Sequence, residues 1–232
     1  MRDSLGWTID DYKALVEMAN RHQAPPEWFA AVMYRESDMN PRAKNSLGFR
    51  GLIQFSVDNL KTMFRLSDAQ TENFTNLTPA KQIKYVDRFY HAWRPSNGWA
   101  NRAQLYQATY MPGTIKWKGS DPGTILAKKG EQAYDINLSL DPDKKGFITV
   151  NDLERVIQAR LDRNGSLWPV ALQGIAAAGG DTGGVVAEVE RTGWYTETPG
   201  VTVVQTSPVP AVTAAVTGLG LVGLALFAAS RY

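Results

Sequence analysis

The chain contains no cysteine. That absence excludes a disulfide framework and any thiolate-ligated metal. Histidine is almost as scarce: His22 and His91 are the two, and neither has metal-ligand spacing around it, which argues against a zinc enzyme. Neither charge sign dominates. Lys and Arg number 25 against 23 Asp and Glu, a net charge of +2, so no footprint for nucleic acid is visible and no such partner is expected. Residues Met1 to Asp11 hold no apolar run of the kind a cleavable secretion signal needs. Before residue 120 no segment sustains the period-two alternation of a half-buried strand.

Aromatic residues, in contrast, are plentiful: seven Trp, nine Tyr and eight Phe, concentrated before residue 120. Trp93, Trp99 and Trp117 could line a sugar cleft or pack in a core. Helical signals dominate this region. Thr8 is an N-cap candidate with Asp10 and Asp11 in the first turn, and Ile9, Tyr12, Leu15, Val16 and Ala19 recur at helical spacing through about His22. Pro25-Pro26 breaks the chain and opens a second helix to about Ser37. Ser67 and Gln70 have capping-box spacing. Thr78-Pro79 starts a clearer helix, with Ile83, Val86, Phe89, Tyr90 and Trp93 on one face, and another helix spans Arg102 to Tyr110.

Glu36 is the principal candidate for chemistry. It follows Val32 by four residues and Met33 by three, so it continues the buried stripe of the second helix. A carboxyl placed there is desolvated, its pKa rises, and it can serve as a general acid near neutral pH. The bland alternative is a solvated helix-end glutamate, because Glu is rarely buried. Asp38 is the nearest other acid. Two residues further on it points away from Glu36, and it is expected to be solvated.

The residues after Glu36 favour the catalytic reading. The chain reads Glu36-Ser37, Asn40-Pro41-Arg42-Ala43, Ser46, Gly48 and Gly51-Leu52-Ile53-Gln54. This resembles the lytic transglycosylases of the goose-type lysozyme superfamily, particularly the forms carried in phage virions. Their pattern runs Glu-Ser, Asn-Pro-x-Ala, Ser, Gly-x-x-Gly-Leu-x-Gln. A later family element, Ala-x-Tyr-Asn-Ala-Gly, is matched in part by Ala108-Thr-Tyr110-Met-Pro-Gly113, with Met111 and Pro112 departing from it. The resemblance covers about residues 8–115.

It implies a lysozyme-like helical domain over 1–120 whose sole catalytic acid/base is Glu36. The substrate would be the peptidoglycan glycan strand, cut between N-acetylmuramic acid and N-acetylglucosamine. Attack by the muramoyl 6-hydroxyl would leave a 1,6-anhydro end, with no cofactor. Ser37, Gln54 and Tyr110 match family positions that contact the saccharide or orient the glutamate. The backbone around Ile53 matches one that binds the acetamido group. Hydrolysis on the same scaffold is the alternative, and it needs a second carboxylate or an ordered water. A non-catalytic glycan-binding virion or membrane protein is the alternative from another class.

Residues 121–164 read as an EF-hand-like helical extension. Asp141, Asp143, Gly146, Ile148 and Asp152 fall at loop positions 1, 3, 6, 8 and 12. Position 5 is Lys145, however, and position 12 is Asp instead of Glu. The expectation is a metal-free loop in which the Lys145 ammonium replaces the metal charge, with calcium binding at Asp141, Asp143 and Asp152 as the alternative.

Residues 165–210 are rich in Gly, Ala, Val, Thr and Pro and read as a linker with short ordered pieces at most. Ala211 to Ser230 is uncharged and long enough for a hydrocarbon core of about 30 Å. Its expected partner is a bacterial membrane or other virion subunits. Gly218, Gly220 and Gly223 satisfy a dinucleotide-binding spacing but lie inside that apolar run, where close helix packing explains them better. Arg231 is the basic residue beside the run, which places the N-terminal domain outside. The expectation is a mainly helical, phage-borne protein acting in the host envelope.

Overall fold

The computed structural model describes residues 1–163 and 165–182. The run 211–230 and most of the expected linker lie outside them. Among the described residues no helix is long and apolar enough to cross a membrane.

The first elements begin where the sequence puts stop and start signals. Helix α1 (Ile9–His22) opens on a capping box between Thr8 and Asp11. The other Asp11 oxygen accepts from the Ala80 amide (2.9 Å), joining α1 to the start of a later helix. Helix α2 (Pro26–Ser37) has proline in its first turn and stops at Asp38 in the left-handed region. A π-helical turn (Asn59–Met63), helix α3 (Asp68–Glu72) and a 3-10 turn (Asn73–Asn76) follow. Helix α4 (Pro79–Trp93) buries Ile83, Val86, Phe89 and Tyr90. Helix α5 (Arg102–Tyr110) is capped by Asn101, and α6 (Pro112–Lys118) follows at once.

Beyond them a short antiparallel pair forms from β1 (Ile125–Lys128) and β2 (Phe147–Thr149). Between these strands lie α7 (Gln132–Asp135) and a 3-10 turn (Leu138–Leu140). The expected pair of helical pieces around the loop is therefore unequal, one turn before it and the longer α8 (Val150–Leu161) after it. The composition reads 165–210 as linker, but its first part is α9 (Trp168–Ala177), which buries Ala171, Leu172 and Ile175. Small residues let this helix approach closely. A Cβ on Gly174 would meet the Tyr12 ring at 2.2 Å, so glycine is needed where α9 crosses α1. The fold is mainly helical, and one hydrophobic core takes in residues from Trp7 to Ile175.

Candidate active site

Glu36 lies in the last turn of α2 and is 7% exposed. Its Oε1 is buried without a hydrogen-bond partner among the described residues. Burial pushes its pKa from the ordinary 4.5 up to about 7, against the opposing pull of the Arg35 guanidinium and the Tyr106 hydroxyl. Tyr106, on α5, is itself buried and its phenol is held well above the ordinary range, first by that burial. Tyr90 of α4 also feels the Glu36 charge. The carboxyl is therefore enclosed by α2, α4 and α5 and holds its proton up to about neutral pH.

The loop after α2 is fixed to that helix and to α4. The Ser37 hydroxyl lies 2.9 Å from the Leu52 carbonyl and 3.0 Å from the Met33 carbonyl, linking the helix end to the loop. Gln82 of α4 is fully buried and makes three bonds that organise the loop. Its Oε1 accepts from the Leu52 amide (3.0 Å), and its Nε2 donates to the carbonyls of Pro41 (2.7 Å) and Phe74 (3.1 Å). Gly51, at φ +80°, lies under this amide. A Cβ there would meet Gln82 Oε1 at 2.5 Å and Phe74 at 2.7 Å, so the position excludes every other residue type.

Of the residues that the resemblance marks, Ser37 ties the end of the Glu36 helix to the loop at Leu52, next to Ile53 and Gln54. Ile53 sits between two anchored neighbours, and its own N–H and C=O stay outside the loop's hydrogen bonds among the described residues. Gln54, at φ 52°, turns its Nε2 inward to the Gly51 carbonyl (3.0 Å) and holds the turn.

Tyr110 is placed differently. Its hydroxyl donates to the Ala133 carbonyl (2.7 Å), in α7, and not to Glu36. The tyrosine acting on the carboxyl is Tyr106, one helical turn earlier. A signal for it was present. Sliding the element Ala-x-Tyr-Asn-Ala-Gly back by four residues sets Tyr106 and Ala108 on its Tyr and second Ala, with Gln107 in place of Asn.

Asp38 is a half-exposed helix-end residue, as expected, but it is not without a partner. It pairs with Arg160 of α8, across a separation that only the tertiary fold closes. Trp99 is buried, with its indole N–H directed at His22 Nδ1 (3.5 Å). Trp93 lies partly buried beneath Lys116, while Trp117 is 82% exposed. A groove of about 280 Å³ between α1 and α4 is lined by Arg21, His22, Asp87, Arg88 and His91 and includes none of the residues around Glu36.

The loop after α7 is filled by its own chain. Lys145 Nζ lies 2.7 Å from both carboxylate oxygens of Asp152. Burial pushes the Asp141 carboxyl up, but the Tyr134 hydroxyl and the Lys145 and Gly146 amides outweigh it and hold it below the ordinary range. Asp143 is held by Arg155. Among the described residues no group of three His, Asp or Glu side chains is arranged to hold a metal.

Residues 14–85 match the family model described as the Transglycosylase SLT domain. This match takes in most of α1, all of α2, the loop and the first half of α4. It supports lytic-transglycosylase-type chemistry with peptidoglycan as the substrate class. Tyr106, Tyr110 and everything from α5 onward lie beyond it. No curated protein and no solved structure matches the chain.

Proposed function

We propose that the protein is a peptidoglycan lytic transglycosylase with Glu36 as its single acid/base. The observation that carries this reading is one buried carboxyl, unpartnered at Oε1 and protonated near neutrality, with its nearest acidic neighbour tied to an arginine. Glu36 donates its proton to the glycosidic oxygen between N-acetylmuramic acid and N-acetylglucosamine. The C1–O bond breaks and the N-acetylglucosamine unit leaves with its 4-hydroxyl restored. The Glu36 carboxylate, steadied by Arg35 and Tyr106, then accepts the proton of the muramoyl 6-hydroxyl as that oxygen bonds to C1. The product carries a 1,6-anhydro ring, no water is consumed, and Glu36 ends protonated as it began. The Ile53 backbone groups suit the acetamido substituent of the bound sugar.

The setting we favour is a phage particle that opens the host wall locally. The resemblance to virion-borne forms supports it, as does the apolar run 211–230, which would seat the protein in a membrane or against other virion subunits. Zymography on purified peptidoglycan tests the activity: wild type should clear the gel and Glu36→Gln should not. Mass spectrometry of the released fragments should then find 1,6-anhydro ends. Reducing ends would make the protein a hydrolase, and no clearing by wild type would make it a glycan binder.

A further inference from the structure

Arg160 belongs to α8, outside the matched stretch, yet it reaches the end of the helix that carries Glu36. Its guanidinium pairs with both oxygens of Asp38 and lies 5.8 Å from the centre of the Tyr34 ring. Tyr34 is held a second time by the next segment. Its hydroxyl accepts from the Leu167 amide (2.8 Å) and the Ser166 hydroxyl (3.0 Å), and its ring packs edge-on against Trp168 at 6.0 Å. Tyr34 lies one turn before Asp38, the C-cap of α2, and the one guanidinium meets both. Glu36, two residues after Tyr34 in the helix, is rotated by roughly 200° from it. The extension therefore grips α2 on the Tyr34 side, away from the face on which Glu36 meets Tyr106 of α5.

The grip matters because the helix end is strained. Asp38 and Met39 follow each other at φ 54° and 57°. Asp tolerates that region, but methionine rarely enters it, and such backbone persists only where its surroundings hold it. Trp7 supplies one tie through its indole N–H to the Met39 carbonyl (2.8 Å); Arg160 supplies another. On its other side α8 binds α5, where Arg102 Nε donates to Glu154 (2.8 Å). Arg102 lies one turn before Tyr106. One helix thus spans the two helices that carry the carboxyl and the tyrosine acting on it.

We propose that Arg160 is a positioning residue for Glu36, fixing the last turn of α2 through Asp38 so that the carboxyl stays enclosed against α5. The proposal rests on Glu36 being the acid/base, and the experiment separates the two. Arg160→Ala in the full chain should lower kcat on soluble glycan strands about tenfold while KM stays within about twofold, since the lost contact is geometric and touches no sugar. The Glu36 carboxyl, followed by 13C NMR, should titrate at least one unit lower in that variant as water reaches it. The groups that face it, Arg35, Tyr90 and Tyr106, are unchanged. Arg160→Lys should recover most of both readouts. Asp38→Asn, which keeps a residue tolerant of positive φ, should reproduce the alanine variant. The double variant should be no worse than either single one.

An unchanged kcat in Arg160→Ala would overturn the proposal. So would a loss of activity that merely follows the unfolded fraction while the Glu36 titration stays where it is in wild type. If Arg160→Ala does not fold, Asp38→Asn decides by the same two readouts. If wild type shows no activity at all, the catalytic reading fails, and the titration alone still decides whether Arg160 keeps Glu36 enclosed.

Discussion

Glu36 and Asp152 are both buried carboxylates, at 7% and 0% exposure, in opposite surroundings. Asp152 is met by the Lys145 ammonium on both oxygens and by the Thr149 amide and hydroxyl. Glu36 has one oxygen with no partner, and its burial outweighs the help of Arg35 and Tyr106. A saturated buried carboxylate is a fixed anion that pins the start of a helix. An unsaturated one keeps its proton and can give it away. Burial is common to both, and the number of donors decides which becomes a pin and which an acid.

This contrast can be broken from either side, and the largest effect should come from Glu36. Glu36→Gln should lower activity at least about 10³-fold, as loss of a sole proton donor requires. The same change should alter stability with a definite sign. Between its ordinary 4.5 and its folded value of about 7, the folded chain holds a proton that the unfolded chain has lost. Wild-type stability therefore falls as pH rises through that window and levels off above it. Denaturant melts at pH 8 should find Glu36→Gln about 3 kcal/mol more stable than wild type, with no gain at pH 4.

Lys145→Met should do the reverse to the other carboxylate, stranding Asp152. A fully buried pair broken this way costs about 3–5 kcal/mol; Lys145 is 28% exposed, so about 2 kcal/mol is expected, measured by denaturant melts at pH 7. Tyr106→Phe removes a group that stabilises the Glu36 anion. The alkaline limb of the pH–rate profile should move up, and kcat should fall about tenfold because the returning carboxylate loses its support. The smallest effect should come from calcium. At about 1 mM it should leave the wild-type Tm unchanged, because an ammonium already holds Asp152. In Lys145→Asn, which offers an oxygen at loop position 5, calcium should raise Tm.

Much of the helical framework was legible in the sequence because its signals are local. The Thr8–Asp11 and Ser67–Gln70 capping boxes, Pro26 and Pro79 in first turns, and the apolar stripe running into Glu36 all act within a turn or two. Long-range pairings were not legible. Asp38 reads as a solvated helix end, and its partner lies in α8. Gln82 belongs to no motif in the sequence, yet it anchors Leu52, Pro41 and Phe74. Tyr110 and Tyr106 differ by one turn of the same helix, so periodicity cannot choose between them; the neighbour each hydroxyl meets does. Helix α9 is hidden by a composition of small residues, of which Gly174 is explained by its contact with Tyr12.

The central claim is that Glu36 is held protonated near neutrality by burial without a matching set of donors. A 13C titration of the Glu36 carboxyl in the wild-type chain, assigned by its loss in Glu36→Gln, tests this directly. The expected midpoint is about 7. A midpoint at the ordinary glutamate value of about 4.5 would show a solvated carboxylate and contradict the account.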